Sequence, residues 1–183
     1  MNDCWQLKAD FKKKIPEHFN YWLFEVEKLG AALKSLMPVS ALTKLAHFDG
    51  VITEDERLLL KTDDHKCHIR LVKHCNQAQA IVLARTIIPR KTYQRYRHII
   101  DHLGHQSIGE HFLFQSSMVT RSAFYVRNFP PSALYDRFPG QDFDCSDKTW
   151  ARASVFCLES SYRLLIAEFF LHIPTLNDSA VYQ

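Results

Sequence analysis

The stretch LLIAEFFLHI, residues 164–173, is the most apolar run of this chain, and it carries one carboxylate, Glu168. On a strand, residues two apart share a face. Glu168 therefore shares its side with Leu164, Ile166 and Phe170, while Leu165, Ala167, Phe169 and Leu171 make an equally apolar opposite side. Neither side is wetted, which places the carboxylate in the interior. Taking it out of water costs several kcal/mol unless something compensates, so this position demands a cation, a donor network or a ligand.

Other residues with chemical potential read more plainly. Ten histidines invite a metal. His98 and His102 stand one helical turn apart around Asp101, and DDHKCH at 63–68 clusters potential ligands on a short segment. Neither group shows a convergent third ligand, and Ile99, Ile100 and Leu103 supply a buried face that leaves His98 and His102 on the solvated one. No metal is therefore expected. Five cysteines, Cys4, Cys67, Cys75, Cys145 and Cys157, are an odd number without a C-x-x-C pair, which reads as free thiols in a reducing compartment. Cys75 reads as core. Ser116 and Ser117 lack a G-x-S-x-G setting, so hydrogen bonding to backbone is their expected work.

The chain as a whole sets the frame for these groups. Its 183 residues suit one domain with a proper core. Apolar residues are 46% and charged residues 23%, which is ordinary globular composition and excludes a disordered chain. A formal charge of +3 from 23 basic and 20 acidic residues is too mild to imply nucleic acid. The start, MNDCWQLKADFKKK, has no apolar signal-type core, and nothing reaches the ~18 apolar residues of a membrane span. The expectation is a soluble cytoplasmic protein.

Patterning assigns the elements that must position these groups. Residues 3 to about 36 read as helical, with Pro16 at a first helical position, Phe19, Leu23, Val26 and Leu29 near helical spacing, and Gly30 as a stop or kink. SALTKLAHFDG, ending at Gly50, reads as a short helix, so the helical part runs over about 3–50. From Cys67 the period becomes two. CHIRLVKHC puts Cys67, Ile69, Leu71 and Cys75 on one face and His68, Arg70, Val72 and His74 on the other, and NQAQ leads into IVLARTII as a hairpin. Residues 91–103 return to a helix with Gly104 after it, and Ser107 to Glu110 has capping-box spacing. SSMVTRSAFYV reads as a strand, NFPPSALYDRFPGQDFDCSDK as a long irregular loop, and TWARASVFCL with YRLLIAEFFLHI as a final hairpin. The sheet-forming part thus spans about 67–174, in an α+β domain occupying 1–183.

These residues also carry a resemblance. ARTIIP followed by a helix, then LGHQSIGEHFLFQSSMVTR, then LLIAEFFL resemble the chorismate pyruvate-lyase family of bacterial ubiquinone synthesis, whose pattern runs approximately GRTVVP, LGxxPLGxxLFxSSxxTR and LLLTELFLP. The likeness covers residues 67–126 and 149–174 well and the N-terminal third thinly. It implies an antiparallel sheet of about six strands with helices packed on it, helical flaps over an internal ligand pocket, and no cofactor. It also implies conversion of chorismate to 4-hydroxybenzoate and pyruvate, with product retention, in a protein for which a monomer suffices.

The resemblance carries over to particular residues. The family's pocket arginine lies fifteen residues before the arginine of GRTVVP, which leads from Arg85 back to Arg70. The glutamate of TELFLP corresponds to Glu168. Backbone contacts fall on Ile108, before Gly109, and on Leu42 in SALTK. Arg70 and Glu168 are the expected catalytic pair, and Leu42, Arg70, Ile108 and Glu168 the expected substrate-binding set. Arg85 and Arg121 also match family positions and are candidates for the substrate side chain or for sheet-face ion pairs.

Departures are Ala84 in place of a glycine, Leu71 where the family often has an acid, and a longer 128–148 loop. Two alternatives remain beside the lyase. One is a non-catalytic sensor domain for small aromatic acids on the same fold, and the other is a catalytically degenerate lyase. Against a winged-helix regulator, only about 66 residues precede the first convincing strand, without a basic recognition helix.

Overall fold

Two long hairpins form the middle of one antiparallel sheet. A computed structural model describes residues 4–11, 15–37, 40–145 and 147–173. In chain order the strands are β1 (Gln6–Leu7), β2 (Ser40–Val51), β3 (Lys66–Asn76), β4 (Gln79–Ile88), β5 (Val119–Arg121), β6 (Tyr125–Phe129), β7 (Thr149–Leu158) and β8 (Tyr162–Phe170). They join in the order β1-β6-β7-β8-β4-β3-β2, with β5 pairing β7 beside β6, so the sheet has eight strands rather than about six. The helices are α1 (Glu17–Asn20), α2 (Leu29–Leu36), α3 (Glu54–Leu60), α4 (Arg90–Ile100), α5 (Ile108–His111) and α6 (Pro131–Arg137). The expected α+β class holds. Among the described residues, no helix is long and apolar enough to cross a membrane.

Sheet pleating divides the central strands by parity. One face carries Ile69, Leu71, Leu83, Ile87, Ala151, Ala153, Leu165, Ala167 and Phe169, all in one buried apolar cluster with Leu60 of α3 and Leu134 of α6. The other face bears two separate clusters. Trp22, Leu23, Leu29 and Leu33 pack on Val82, Val126, Trp150 and Phe170 at one end. Tyr96, Ile100, Leu103 and Ile108 pack on Ile88, Phe156, Leu158 and Leu164 at the other. Between these clusters the sheet face is left open.

Several expected elements change. SALTKLAHFDG is a strand rather than a helix: it pairs with β3 from Ser40↔Asn76 to Val51↔Lys66. The register shifts between Lys44 and Ala46, so residues that face one way before this bulge are followed by residues of opposite parity after it. The helical part over 3–50 therefore ends at Leu36. Even there it is broken into α1, a five-residue π turn over Tyr21–Glu25, and α2, with β1 before them.

Gly30 lies inside α2 rather than stopping it. A Cβ at that position would sit 2.7 Å from Glu110 Oε1, so any larger residue there displaces the end of the Glu110 side chain. The sheet-forming part is wider than 67–174 because β1 and β2 belong to it. The irregular 128–148 loop contains α6, which starts with Pro131 in its first turn. The strand expected at 116–126 is interrupted at 122–124, where the Ser122 hydroxyl accepts from the Val155 amide at 3.0 Å in place of a ladder carbonyl. The tail after Ile173 lies outside the described residues.

Candidate active site

The open part of the sheet face is the floor of a cavity. Its rows follow from register. Arg70 stands opposite Thr86, Thr86 opposite Ile166, and Ile166 opposite Ser154. In the next row Val72 meets Ala84, Ala84 meets Glu168, and Glu168 meets Arg152. The small side chains Ala84, Thr86 and Ser154 leave room in the middle of this floor. The walls are Glu27, Leu29 and Gly30 at the start of α2, Leu42 of β2, Ser107 to Glu110 at α5, and Arg121 with Phe124 around the break between β5 and β6. Ser107 caps α5 by accepting from the Glu110 amide at 3.4 Å, which presents the first turn of that helix to the cavity.

Arg70 is 1% exposed. Its Nη2 donates to the carbonyls of Gly104 (3.1 Å) and Gln106 (2.7 Å) in the turn after α4. Among the described residues no carboxylate oxygen lies within 4 Å of its guanidinium. Burial without a counter-charge pulls its pKa down to about 10. Arg70 is thus a buried cation held by main-chain carbonyls.

Glu168 has a partner, and it is Arg152. The Arg152 Nε donates to Glu168 Oε2 at 2.5 Å, and its Nη1 donates to the carbonyls of Trp22 (2.7 Å) and Val26 (2.6 Å). Glu168 Oε1 accepts no protein hydrogen bond among the described residues. The pair thus ties the N-terminal segment to the sheet and leaves one carboxylate oxygen available to a ligand. Sequence reading missed Arg152. The final hairpin contained the signal, because six steps outward from Leu158↔Tyr162 lead to Arg152↔Glu168.

Arg121 also reaches the cavity. Its Nη1 donates to the Glu27 carbonyl at 2.7 Å, and its guanidinium lies 4.5 Å from the Phe124 ring centre, with that of Arg152 at 4.2 Å from the same ring. Burial, then the charge of Arg152, lowers its pKa. His74 lines the same space and is buried; burial lowers its pKa despite the nearby carboxylates of Glu168 and Glu110.

The expected residues Arg70, Glu168, Leu42 and Ile108 line one cavity. Arg85 does not. It points to the opposite sheet face, where its Nε donates to Glu56 Oε1 at 2.9 Å and its Nη1 to the Arg137 carbonyl at 3.1 Å. The ion-pair alternative holds for Arg85. Ala84 is in the floor between Val72 and Glu168, so its methyl group subtracts directly from the cavity. Leu71, by contrast, is buried in the opposite core. Ser116 accepts from the Met118 amide at 3.2 Å, the backbone role expected of it.

Comparison with known proteins adds to this geometry. A family model described as chorismate lyase matches residues 1–182. The chain is 29% identical over 162 residues to a probable chorismate pyruvate-lyase of Hydrogenovibrio crunogenus, covering 86% of this chain and 84% of that protein. It is 28% identical over 132 residues to a probable chorismate pyruvate-lyase of Coxiella burnetii, covering 72% and 70%. Among solved structures it is similar to the effector-binding domain of the Bacillus subtilis trehalose repressor, with TM-score 0.53, 10% identity, and 75% and 95% of the two chains covered. It is also similar to the C-terminal domain of the histidine utilization repressor from Pseudomonas syringae pv. tomato, with TM-score 0.52, 8% identity, and 75% and 97% covered. At such identities these two structures speak to the fold alone.

Proposed function

The chain belongs to the chorismate lyase family, and from that premise we propose that it converts chorismate to 4-hydroxybenzoate and pyruvate without a cofactor, supplying the aromatic precursor of ubiquinone. The observation that carries the reading is Arg70, a buried guanidinium facing a cavity with no carboxylate beside it among the described residues. Leaving a buried charge unpaired costs several kcal/mol, and an anionic ligand relieves that cost. Chorismate is a dianion, so both of its carboxylates need such partners.

In this reading Arg70 grips the ring carboxylate through its planar fork. Amides near Leu42 and Ile108 complete that end. The Ile108 amide lies in the first turn of α5, where no intrahelical acceptor exists. The free Oε1 of Glu168 accepts from the ring hydroxyl and fixes the ring's orientation, while Arg152 holds the other oxygen. Arg121 takes the enolpyruvyl carboxylate.

Breaking the ether C–O bond releases the enolpyruvyl group, and the ring hydrogen moves to its methylene carbon to give pyruvate as the ring becomes aromatic. Atoms and electrons balance without an oxidant, reductant or co-reactant. Aromatisation drives the step, and the site's contribution is positioning and electrostatics. One chain supplies every lining residue, so a monomer is sufficient. Segments 27–30 and 107–114 act as flaps that open to release product.

The test is a single-turnover incubation of excess protein with chorismate, quenched in denaturant so that retained product is counted. Equimolar 4-hydroxybenzoate and pyruvate above the spontaneous background support the lyase. Tight 4-hydroxybenzoate binding with no turnover replaces it with a sensor or a degenerate enzyme.

A further inference from the structure

On the same sheet face, beside Arg70 and one row beyond it, three potential ligands from three parts of the chain converge. His47 of β2 stands opposite Arg70, and His68 of β3 lies two residues before it. Asp101 follows the last residue of α4. One ligand atom from each of His47, His68 and Asp101 lies within 4.8 Å of the others. We infer that these three side chains form a binding site for a divalent transition-metal ion of the zinc class.

The hydrogen bonding points to the same conclusion. His68 is 9% exposed, yet among the described residues its Nε2 is buried without a hydrogen-bond partner, and so is the Nε2 of His47. Two neighbouring imidazole nitrogens in that state are explained by an acceptor of lone pairs between them. The surroundings hold each ligand in the form a metal needs. His68 Nδ1 is 2.8 Å from Asp49 Oδ1, which places the proton on Nδ1 and leaves the lone pair on Nε2. The Tyr93 hydroxyl donates to Asp101 Oδ1 at 2.7 Å, leaving Oδ2 for coordination. The ring of Tyr93 stacks on His68, with centres 3.7 Å apart. Carboxylate behind histidine and donor behind carboxylate are the outer contacts that orient metal ligands.

Two imidazoles and one carboxylate give a borderline donor set with a fourth position for water. Tetrahedral bonds of ~2.0–2.1 Å require ligand atoms about 3.3 Å apart. Asp101 is exposed and can close the remaining gap. His98 and His102 do not take part, since His102 Nδ1 turns back to the His98 carbonyl at 2.9 Å. A bound ion would fasten the end of α4 to β2 and β3, just before the carbonyls of Gly104 and Gln106 that hold Arg70.

The experiment uses the tag-free, chelator-treated chain titrated with Zn²⁺ in a calorimeter, with Co²⁺ absorption as the spectroscopic readout of the ligand set. One ion per chain is expected. Asp101→Asn, an exposed change that keeps the Tyr93 contact, and His47→Gln each weaken binding by about 100-fold or more. A His98→Gln/His102→Gln variant binds as the wild type does. Circular dichroism establishes that the variants are folded. No Zn²⁺ binding, binding that survives in folded Asp101→Asn and His47→Gln, or binding lost in the His98→Gln/His102→Gln variant each overturns the assignment.

Discussion

Replacing Arg70 with methionine separates a ligand-binding cation from a structural one. In the free protein the guanidinium is 1% exposed and, among the described residues, compensated only by the carbonyls of Gly104 and Gln106. Gln106 is exposed and Gly104 half-buried, so water takes over those carbonyls when the donor goes. Methionine keeps the apolar stem and removes a charge that was costly to bury. Unfolding free energy should therefore rise, by about 1–4 kcal/mol.

Ligand binding should move the other way. Removing one partner of a buried ion pair costs about 3–5 kcal/mol, which at ~1.4 kcal/mol per decade is two to three and a half orders of magnitude in affinity. Calorimetry with 4-hydroxybenzoate reads the affinity, and urea unfolding reads the stability. A variant that binds within about five-fold of wild type refutes the anion-site reasoning. A variant that loses several kcal/mol of stability refutes the claim that Arg70 is uncompensated in the free protein.

Arg152→Ala should behave oppositely to Arg70→Met: it strips Glu168 of its cation and removes a donor to the Trp22 and Val26 carbonyls, so urea unfolding should show a loss of about 3–5 kcal/mol. Ala84→Val fills the cavity floor beside Glu168 and should cut 4-hydroxybenzoate affinity by more than about ten-fold while costing at most ~1–3 kcal/mol of stability; unchanged affinity would place the ligand elsewhere. Acid should weaken the fold. His47 is lowered from 6.5 to about 4, chiefly by burial and then by His68, and burial also lowers His74. The unfolded chain therefore takes up protons first, so this share of stability is whole above pH 6.5 and drains away toward about pH 4. Urea midpoints of the chelator-treated, metal-free protein should fall over that range, and His47→Gln should flatten the slope; a wild-type midpoint constant down to about pH 5 contradicts it.

Much of the site was legible because it rides on two regular hairpins. The alternation in CHIRLVKHC placed Arg70 on the correct face, and LLIAEFFLHI placed Glu168 on its own. What could not be read were features that break a period. The bulge at Lys44–Ala46 flips parity within β2, so Leu42 faces the cavity before it and His47 lies opposite Arg70 after it. A strand with such a slip loses its two-residue repeat and mimics helical spacing, and tertiary pairing with β3 overrides that local pattern. The same slip hid the convergence of His47 with His68 and Asp101. The Arg152–Glu168 pair was within reach but needed register counting from the turn. Helix α6 was masked by its prolines, which mark its first turn rather than forbid it.

The division of the sheet by parity has a consequence for how this protein can change. In the central strands, positions that pack the core and positions that line the cavity alternate along the same segments. Leu71, Leu83, Ala153, Leu165 and Ala167 form a foundation on one face, while Val72, Ala84, Thr86, Ser154 and Ile166 form the floor of the cavity on the other. Substitutions confined to the second set leave the foundation's packing intact. Selection, natural or in the laboratory, can therefore rewrite ligand preference one rung at a time without dismantling the scaffold.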